Sequence, residues 1–333
     1  MIATSPSYRP WSTVLQQRIA KAMNVLLHVG AHRCATTSFQ HYLRQNAAVL
    51  GQQGIGFWGP LRTRKGLFSG ILNPSVGCMG AAKSARRAMG RVQLNLIHAR
   101  DKGVRTLIVS DENMIGSVRQ NLRLGELYCG IGERMARFNQ AFDGRVSQVV
   151  LSVRSLDLFW ASSMGYAVAR GRQVPSRAEL RRLTRNTRSW RDVITDLACA
   201  MPGARIRVLP FERFAGRPDK QLSLMSDIQT PSHCSCAWRN ATPRLRELRQ
   251  RLPLAQAALL PRGEGRWMPF DPAQRAEMRR RYEDDMAWLA SGADGLAVLA
   301  TEPQEHWVGR HLPRTELTRG RSYDEERRLA GAG

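Results

Sequence analysis

Four short apolar runs recur along this chain at helix-length intervals: 25–29, 104–110, 147–153 and 205–209. Each is aliphatic or β-branched and reads as a strand. Strands alternating with helix-length segments are the pattern of a parallel sheet with crossover helices. Further on, Met278, Tyr282, Met286 and Leu289 recur at helical spacing and predict a closing helix over Phe270 to Ala290. Residues 60–90 mix Gly, Pro, Arg and Ser without a clean period and are expected to form a mobile loop on the substrate side. No internal repeat is visible. The expected organisation is an N-terminal extension over 1–22, one α/β domain with helical additions over 23–308, and a polar tail over 309–333 that is disordered or wraps the surface. Met23 stands directly before the first strand and is an alternative start.

Composition agrees with that outline. With 333 residues, 43% of them hydrophobic, the chain can bury a full core. It has no apolar run of membrane-spanning length. Arg9, Arg18 and Lys21 interrupt the first 22 residues, so no signal-peptide pattern forms and a cytoplasmic location is expected. The six cysteines, at 34, 78, 129, 199, 234 and 236, are scattered and read as reduced thiols. His233-Cys234-Ser235-Cys236 is either half of a zinc site without a matching pair or a loop with two thiols.

Charge changes the picture more. Lys and Arg number 51 against 27 Asp and Glu, a net charge of +24. A chain this basic attracts polyanions, whether nucleic acid, anionic lipid or an acidic glycan, and charge alone does not choose among them. The runs Arg177 to Arg191 and Arg244 to Arg251 have helical spacing with interleaved Leu, and read as solvated faces more readily than as groove-reading helices. No zinc-finger, RNA-recognition or basic-zipper signature appears.

The candidate chemistry starts where the first strand ends, in His28-Val29-Gly30-Ala31-His32-Arg33-Cys34-Ala35-Thr36-Thr37-Ser38. A Gly-containing turn between a buried strand and a helix points backbone N–H groups and the positive end of the helix dipole at one spot, which suits phosphate. Thr36 and Thr37 add hydroxyls and Arg33 a permanent cation; the alternative is an ordinary strand-turn-helix. The nucleoside-triphosphatase pattern G-x-x-x-x-G-K-[ST] is half matched: Gly30 fits, Ala35 replaces the second Gly, and Thr36 stands at the Lys position. Ala35 fits there if its φ is negative. A second constellation follows the strand 147–153, where Arg154 stands at the strand's end and Ser162 eight residues on in a helical segment. An Arg at a strand's carboxyl end points into the ligand crevice, and a Ser two turns along the next helix can face the same pocket. In the bland reading they are a solvated Arg and an ordinary helix Ser.

Together these segments resemble the PAPS-dependent sulfotransferase family, in its bacterial form. Arg33 to Thr37 is similar to that family's 5′-phosphosulfate loop, K-x-G-T-T, with Arg33 in the Lys position. Arg154 and Ser162 are similar to its 3′-phosphate motif. Leu50 to Trp58 resembles the helix end and short strand after its first helix, Val208 to Phe214 its FExF turn, and Ser110-Asp111-Glu112 its S-x-E segment. The resemblance spans about residues 24 to 290 and implies a P-loop-type central parallel sheet flanked by helices. It also implies a transferase that moves a sulfuryl group from 3′-phosphoadenosine 5′-phosphosulfate to a hydroxyl or amine, with a saccharide or glycolipid as acceptor. Arg33, Cys34, Ala35, Thr36, Thr37 and Ser38 would hold the 5′ side, with Arg33 also neutralising the leaving oxygen. Arg154 and Ser162 would hold the 3′-phosphate, and Arg262-Gly263, like the family's R-x-G segment, would close over the nucleotide. No metal is called for, because arginines supply the counter-charge.

Transfer also needs a proton acceptor. The strand ending at Ser110 delivers Asp111 and Glu112 to the edge that carries Gly30 and Arg154. Glu112 is the preferred general base and Asp111 the second. Ser110 or Asp111 capping the next turn would explain the segment without catalysis. His32 and His41 are the other candidates. Two further readings remain open: a P-loop kinase of small molecules, and a basic protein that binds nucleic acid or another polyanion through its Arg-rich face.

Overall fold

The computed structural model describes residues 23–72, 78–226 and 228–301, the side chains of 78–82 excepted; the extension over 1–22 and the tail over 309–333 lie outside these residues. Six strands, β1 (Asn24–Gly30), β2 (Ile55–Trp58), β3 (Thr106–Ser110), β4 (Val146–Val153), β5 (Arg205–Pro210) and β6 (Val298–Leu299), form one open sheet in the order β2-β3-β1-β4-β5-β6. Every pairing is parallel. The principal flanking helices are α1 (Thr36–Gln45), α2 (Cys78–Asp101), α3 (Ile131–Ala141), α4 (Leu156–Val168), α5 (Trp190–Ala200) and α6 (Pro272–Ala290).

The four predicted runs are β1, β3, β4 and β5. They are continuous rather than alternating because a parallel sheet is covered on both faces: β1 is buried from Val25 to Gly30 and β4 from Gln148 to Val153. Ile55–Trp58 is the short strand after the first helix. The two-residue β6 carried no pattern in the sequence, since Val298 stays 49% exposed at the sheet's edge.

The segment 60–90 departs from the expected loop. Pro60–Arg62 is a helical turn, Thr63–Leu67 is a turn broken by non-helical backbone at Lys65 and Gly66, 73–77 lie outside the described residues, and Cys78–Asp101 is a helix of 24 residues. Its buried stripe, Ala88, Val92 and Leu96, has a spacing of four. That stripe is short and Gly80 and Gly90 interrupt the sequence, so tertiary burial rather than a strong local signal decides this helix. The closing helix forms as expected. Asp271 caps α6 with Gln274 in a reciprocal pair, and Met278, Tyr282 and Leu289 are buried. From the same helix Asp285 accepts from Ser189 Oγ at 2.6 Å and Trp190 N–H at 2.9 Å, so α6 holds the start of α5.

The strand order places the site. From β1 the chain winds towards β2 and β3, and from β4 it winds the other way to β5 and β6, so the direction reverses between β1 and β4. In open parallel sheets the crevice beyond the strand ends at such a reversal is where ligands bind.

Candidate functional site

An open cleft lies at that reversal. Its lining joins the β1–α1 loop, Glu112 just beyond β3, Arg154 just beyond β4 and Ser162 of α4. Val153 ends β4 and Ser155 begins the turn into α4, so Arg154 faces the crevice by its place in the chain.

The loop leaves β1 through Gly30 at φ 87°. A Cβ there would stand 3.0 Å from Glu112 Cβ and 3.1 Å from Thr36 Oγ1, so glycine serves both the turn and the close approach of the β3 end. Arg33 and Ala35 are also left-handed, at φ 62° and 60°. For Ala35 this reverses the expected negative φ and costs about 1–2 kcal/mol. The conformation is held by its own carbonyl, which accepts from Ser38 N–H at 3.0 Å and Phe39 N–H at 3.2 Å and so starts α1. Thr36 Oγ1 donates to Ala31 O at 3.0 Å. The N–H groups of Arg33, Ala35, Thr36 and Thr37 have no hydrogen-bond partner among the described residues, and they lie at and just before the positive end of α1.

Arg33 reaches away from its own loop. Its Nε donates to Ser162 Oγ at 3.2 Å, and its Nη2 to Thr242 Oγ1 at 2.8 Å and Asn240 O at 3.0 Å. Ser162 Oγ and Thr242 Oγ1 are 2.8 Å apart. Arg154 is 4% exposed, lies over the Phe211 ring at 4.1 Å and donates Nη1–H to Arg33 O at 3.1 Å, while its Nε has no partner among the described residues. Burial first, then the like charge of Arg266, pushes Arg154 down to about 10; at neutral pH it remains a cation. A buried guanidinium with an unused donor, beside two more arginines, is an arrangement that an anion would complete.

The other predicted residues divide. Thr36 and Thr37 line the cleft. Cys34 is buried beneath the loop with its thiol pushed up to about 12 by burial, and Ser38 Oγ accepts from Arg239 N–H at 2.8 Å, so neither side chain lines the cleft. Arg262 and Gly263 also lie outside its lining; Arg266, at the far end of the same R-G-E-G-R run, lines it instead.

The proton-acceptor candidates separate clearly. Asp111 is fully buried, and it accepts from Thr63 Oγ1 at 2.5 Å, Arg64 Nη2 at 2.7 Å and Asn113 N–H at 3.0 Å. It is the cap and anchor of this segment. Glu112 lines the cleft; its Oε2 accepts from Gln40 Nε2 at 3.0 Å and its Oε1 from Arg64 Nη2 at 3.0 Å. Burial pushes the Glu112 carboxyl up, but the Arg64 guanidinium donating to it at 3.0 Å and its hydrogen bonds outweigh burial, and the carboxyl is held below its ordinary value. His32 also lines the cleft, yet both ring nitrogens are engaged, Nδ1 with Tyr128 Oη at 3.0 Å and Nε2 with Asn113 Oδ1 at 3.2 Å. The amide oxygen only accepts, so Nε2 carries the proton and the Nδ1 lone pair takes the tyrosine hydroxyl. Burial lowers the His32 pKa and keeps that neutral form. His41 lies on α1 outside the cleft lining.

Several residues in or behind the cleft carried no functional signal in the sequence. Gln40 and Arg64 lie outside its lining and bear on it only through Glu112. Tyr166, one turn beyond Ser162, has Arg33 over its ring at 4.8 Å and Arg170 at 3.7 Å, and its i+4 spacing was the available clue. Trp238, Arg239 and Thr242 come from a loop far along the chain. Trp238 is 48% exposed and meets Phe211 edge-on at 6.3 Å between ring centroids. Around His233-Cys234-Ser235-Cys236, no group of three or more metal-ligating side chains gathers among the described residues. Among the described residues, too, no helix is long and apolar enough to cross a membrane.

Compared with protein-family models and with curated proteins, the sequence matches none.

Proposed function

We propose that this protein is a sulfotransferase that uses 3′-phosphoadenosine 5′-phosphosulfate as donor, with the β1–α1 turn acting as a P-loop for its 5′ side. The observation that carries the reading is the meeting of Arg33, Ser162 and Arg154 around a loop with unpaired N–H groups, at the strand edge that also presents Glu112. That set offers two anion positions and one carboxylate. The loop amides and Thr37 suit the 5′-phosphate; Arg154, with its unused Nε, and Ser162 suit a 3′-phosphate.

Transfer would proceed as an in-line displacement at sulfur. The acceptor oxygen or nitrogen forms its bond to sulfur while its proton passes to the Glu112 carboxylate. The bond from sulfur to the bridging oxygen breaks, and its electron pair stays on the 5′-phosphate of the departing adenosine 3′,5′-bisphosphate. Arg33 would neutralise the charge that grows on that oxygen. To do so it must exchange contacts with Thr242 and Asn240 for the ligand. A hydroxyl of a saccharide or glycolipid suits the acceptor side.

The deciding experiment is calorimetric binding of adenosine 3′,5′-bisphosphate, ATP, ADP and AMP to the native protein and to Arg154→Ala at two salt concentrations. The bisphosphate should bind best and weaken about ten- to a hundred-fold in the variant, with AMP nearly unchanged, as expected for losing a charged hydrogen bond of about 1.5–3 kcal/mol. ATP binding best would favour a kinase. Equal, salt-sensitive binding of every nucleotide would favour a polyanion-binding protein.

A further inference from the structure

We propose that His41, Arg44 and Arg239 form a second binding site, for a phosphate or sulfate group, one helical turn out from the cleft. Its residues play no part in the sulfotransferase reading, apart from Arg239, which also lines the cleft.

Thr37, His41 and Arg44 follow one another at i, i+4 and i+7 on α1 and share a face of that helix. Thr37 lines the cleft, so the face runs outward from it, with His41 about 6 Å along the axis. The loop carrying His233 and Arg239 is pinned against this helix. Tyr42 Oη donates to Pro231 O at 2.6 Å, Asn46 Nδ2 to His233 O at 2.9 Å, and Arg239 N–H to Ser38 Oγ at 2.8 Å. The cations are therefore brought together by fixed backbone.

Arg44 and Arg239 are themselves exposed, and between them the buried His41 ring meets two donors. His41 is 8% exposed; its Nδ1 faces Arg44 Nη2 at 3.2 Å and its Nε2 faces Arg239 Nη2 at 3.4 Å. Guanidinium groups only donate, and a neutral imidazole has one acceptor nitrogen, so one of the two arginines must face an N–H. Burial first, then Arg239, Arg44 and His233, all of one sign, lower the His41 pKa. On the packed flank of the helix Asp219 acts on Tyr42, and no carboxylate pairs with Arg44 or Arg239 among the described residues. An oxyanion resolves the mismatch: it accepts from both guanidiniums and lets His41 take a proton and donate as well. Phosphate and sulfate share this chemistry, either as the free ion or as a group on a larger molecule that reaches the cleft past Arg239.

The test is NMR titration of the His41 ring in the full chain, its signal assigned with His41→Gln, in sodium sulfate against sodium chloride of matched ionic strength. Sulfate should raise the His41 pKa by about one unit relative to chloride, and Arg44→Gln should remove most of that rise. The response should persist in Arg154→Ala, which separates this site from the cleft whether or not the cleft binds the bisphosphate. In a second arm, a sulfated disaccharide acting at a tenth of the sulfate concentration would support a group on a larger ligand, and an equal requirement would support the free ion. The same shift in chloride, or a sulfate shift unchanged in Arg44→Gln, would mean an adventitious ion only and overturn the proposal.

Discussion

Arg33 Nε stands 3.2 Å from Ser162 Oγ, a contact between residues 129 apart in the chain. It joins the β1–α1 turn to the helix after β4 across the reversal of the sheet. Thr242 touches both partners, so a ligand that takes Arg33 and Ser162 also displaces their shared contact.

Ser162→Ala tests that junction. It should weaken adenosine 3′,5′-bisphosphate about three- to tenfold, as for one hydrogen bond of roughly 0.5–1.5 kcal/mol, and leave AMP within error by calorimetry. An equal loss for both nucleotides would place Ser162 away from the 3′-phosphate.

Glu112 and Asp111 should part company. Glu112→Gln is expected to lower sulfuryl transfer to saccharide acceptors about 10²–10⁴-fold with bisphosphate binding retained, measured as release of the bisphosphate from the donor. Because the Glu112 carboxyl is held below its ordinary value, it stays ionised through the usual carboxylate range, and the rate should fall only when pH drops below that range. Asp111→Asn should instead cost stability, since it removes the anchor shared by Thr63 and Arg64.

His28 sets an acid limit on folding. It is fully buried beneath the loop, its Nδ1 is 2.8 Å from Ser110 Oγ, and burial lowers its pKa from 6.5 to about 4. Between those values the unfolded chain holds the proton and the folded one does not. Stability should therefore be full above pH 6.5 and decline towards pH 4, by about 3 kcal/mol in total at 1.36 kcal/mol per unit. His28→Gln should flatten that decline in urea unfolding at pH 5, 6 and 7.5. An unchanged slope would assign it to other groups, His32 first, whose pKa is lowered in the same sense.

The two small residues of the turn should respond in opposite directions. Gly30→Ala puts a Cβ 3.0 Å from Glu112 Cβ at φ 87° and should destabilise by roughly 1–3 kcal/mol. Ala35→Gly relieves a left-handed alanine and should be neutral or stabilising by up to about 1 kcal/mol after the entropy lost on folding. Thermal denaturation of both variants checks the pair.

Four of the six strands and the closing helix were legible because burial on both faces and a helical repeat leave local patterns. The helix over Cys78–Asp101 was not, because Ala88, Val92 and Leu96 are a thin stripe among Arg and Gly and only packing makes them a face. The loop, Arg154 and Glu112 could be placed at strand ends from order alone. Which arginine of Arg262 to Arg266 turns inward could not be read, nor which of Asp111 and Glu112 stays available.

The sequence by itself determined the order of four strands and the closing helix, and the loop, arginine and carboxylate at the strand ends, because hydrophobic runs and turn residues act over a few neighbouring positions. Tertiary structure alone decided what each polar side chain faces. Asp111 is consumed by Thr63 and Arg64, His32 by Tyr128 and Asn113, and Arg33 is drawn to Ser162 and Thr242. A buried polar group must find a partner, and in this fold those partners come from segments tens to hundreds of residues away.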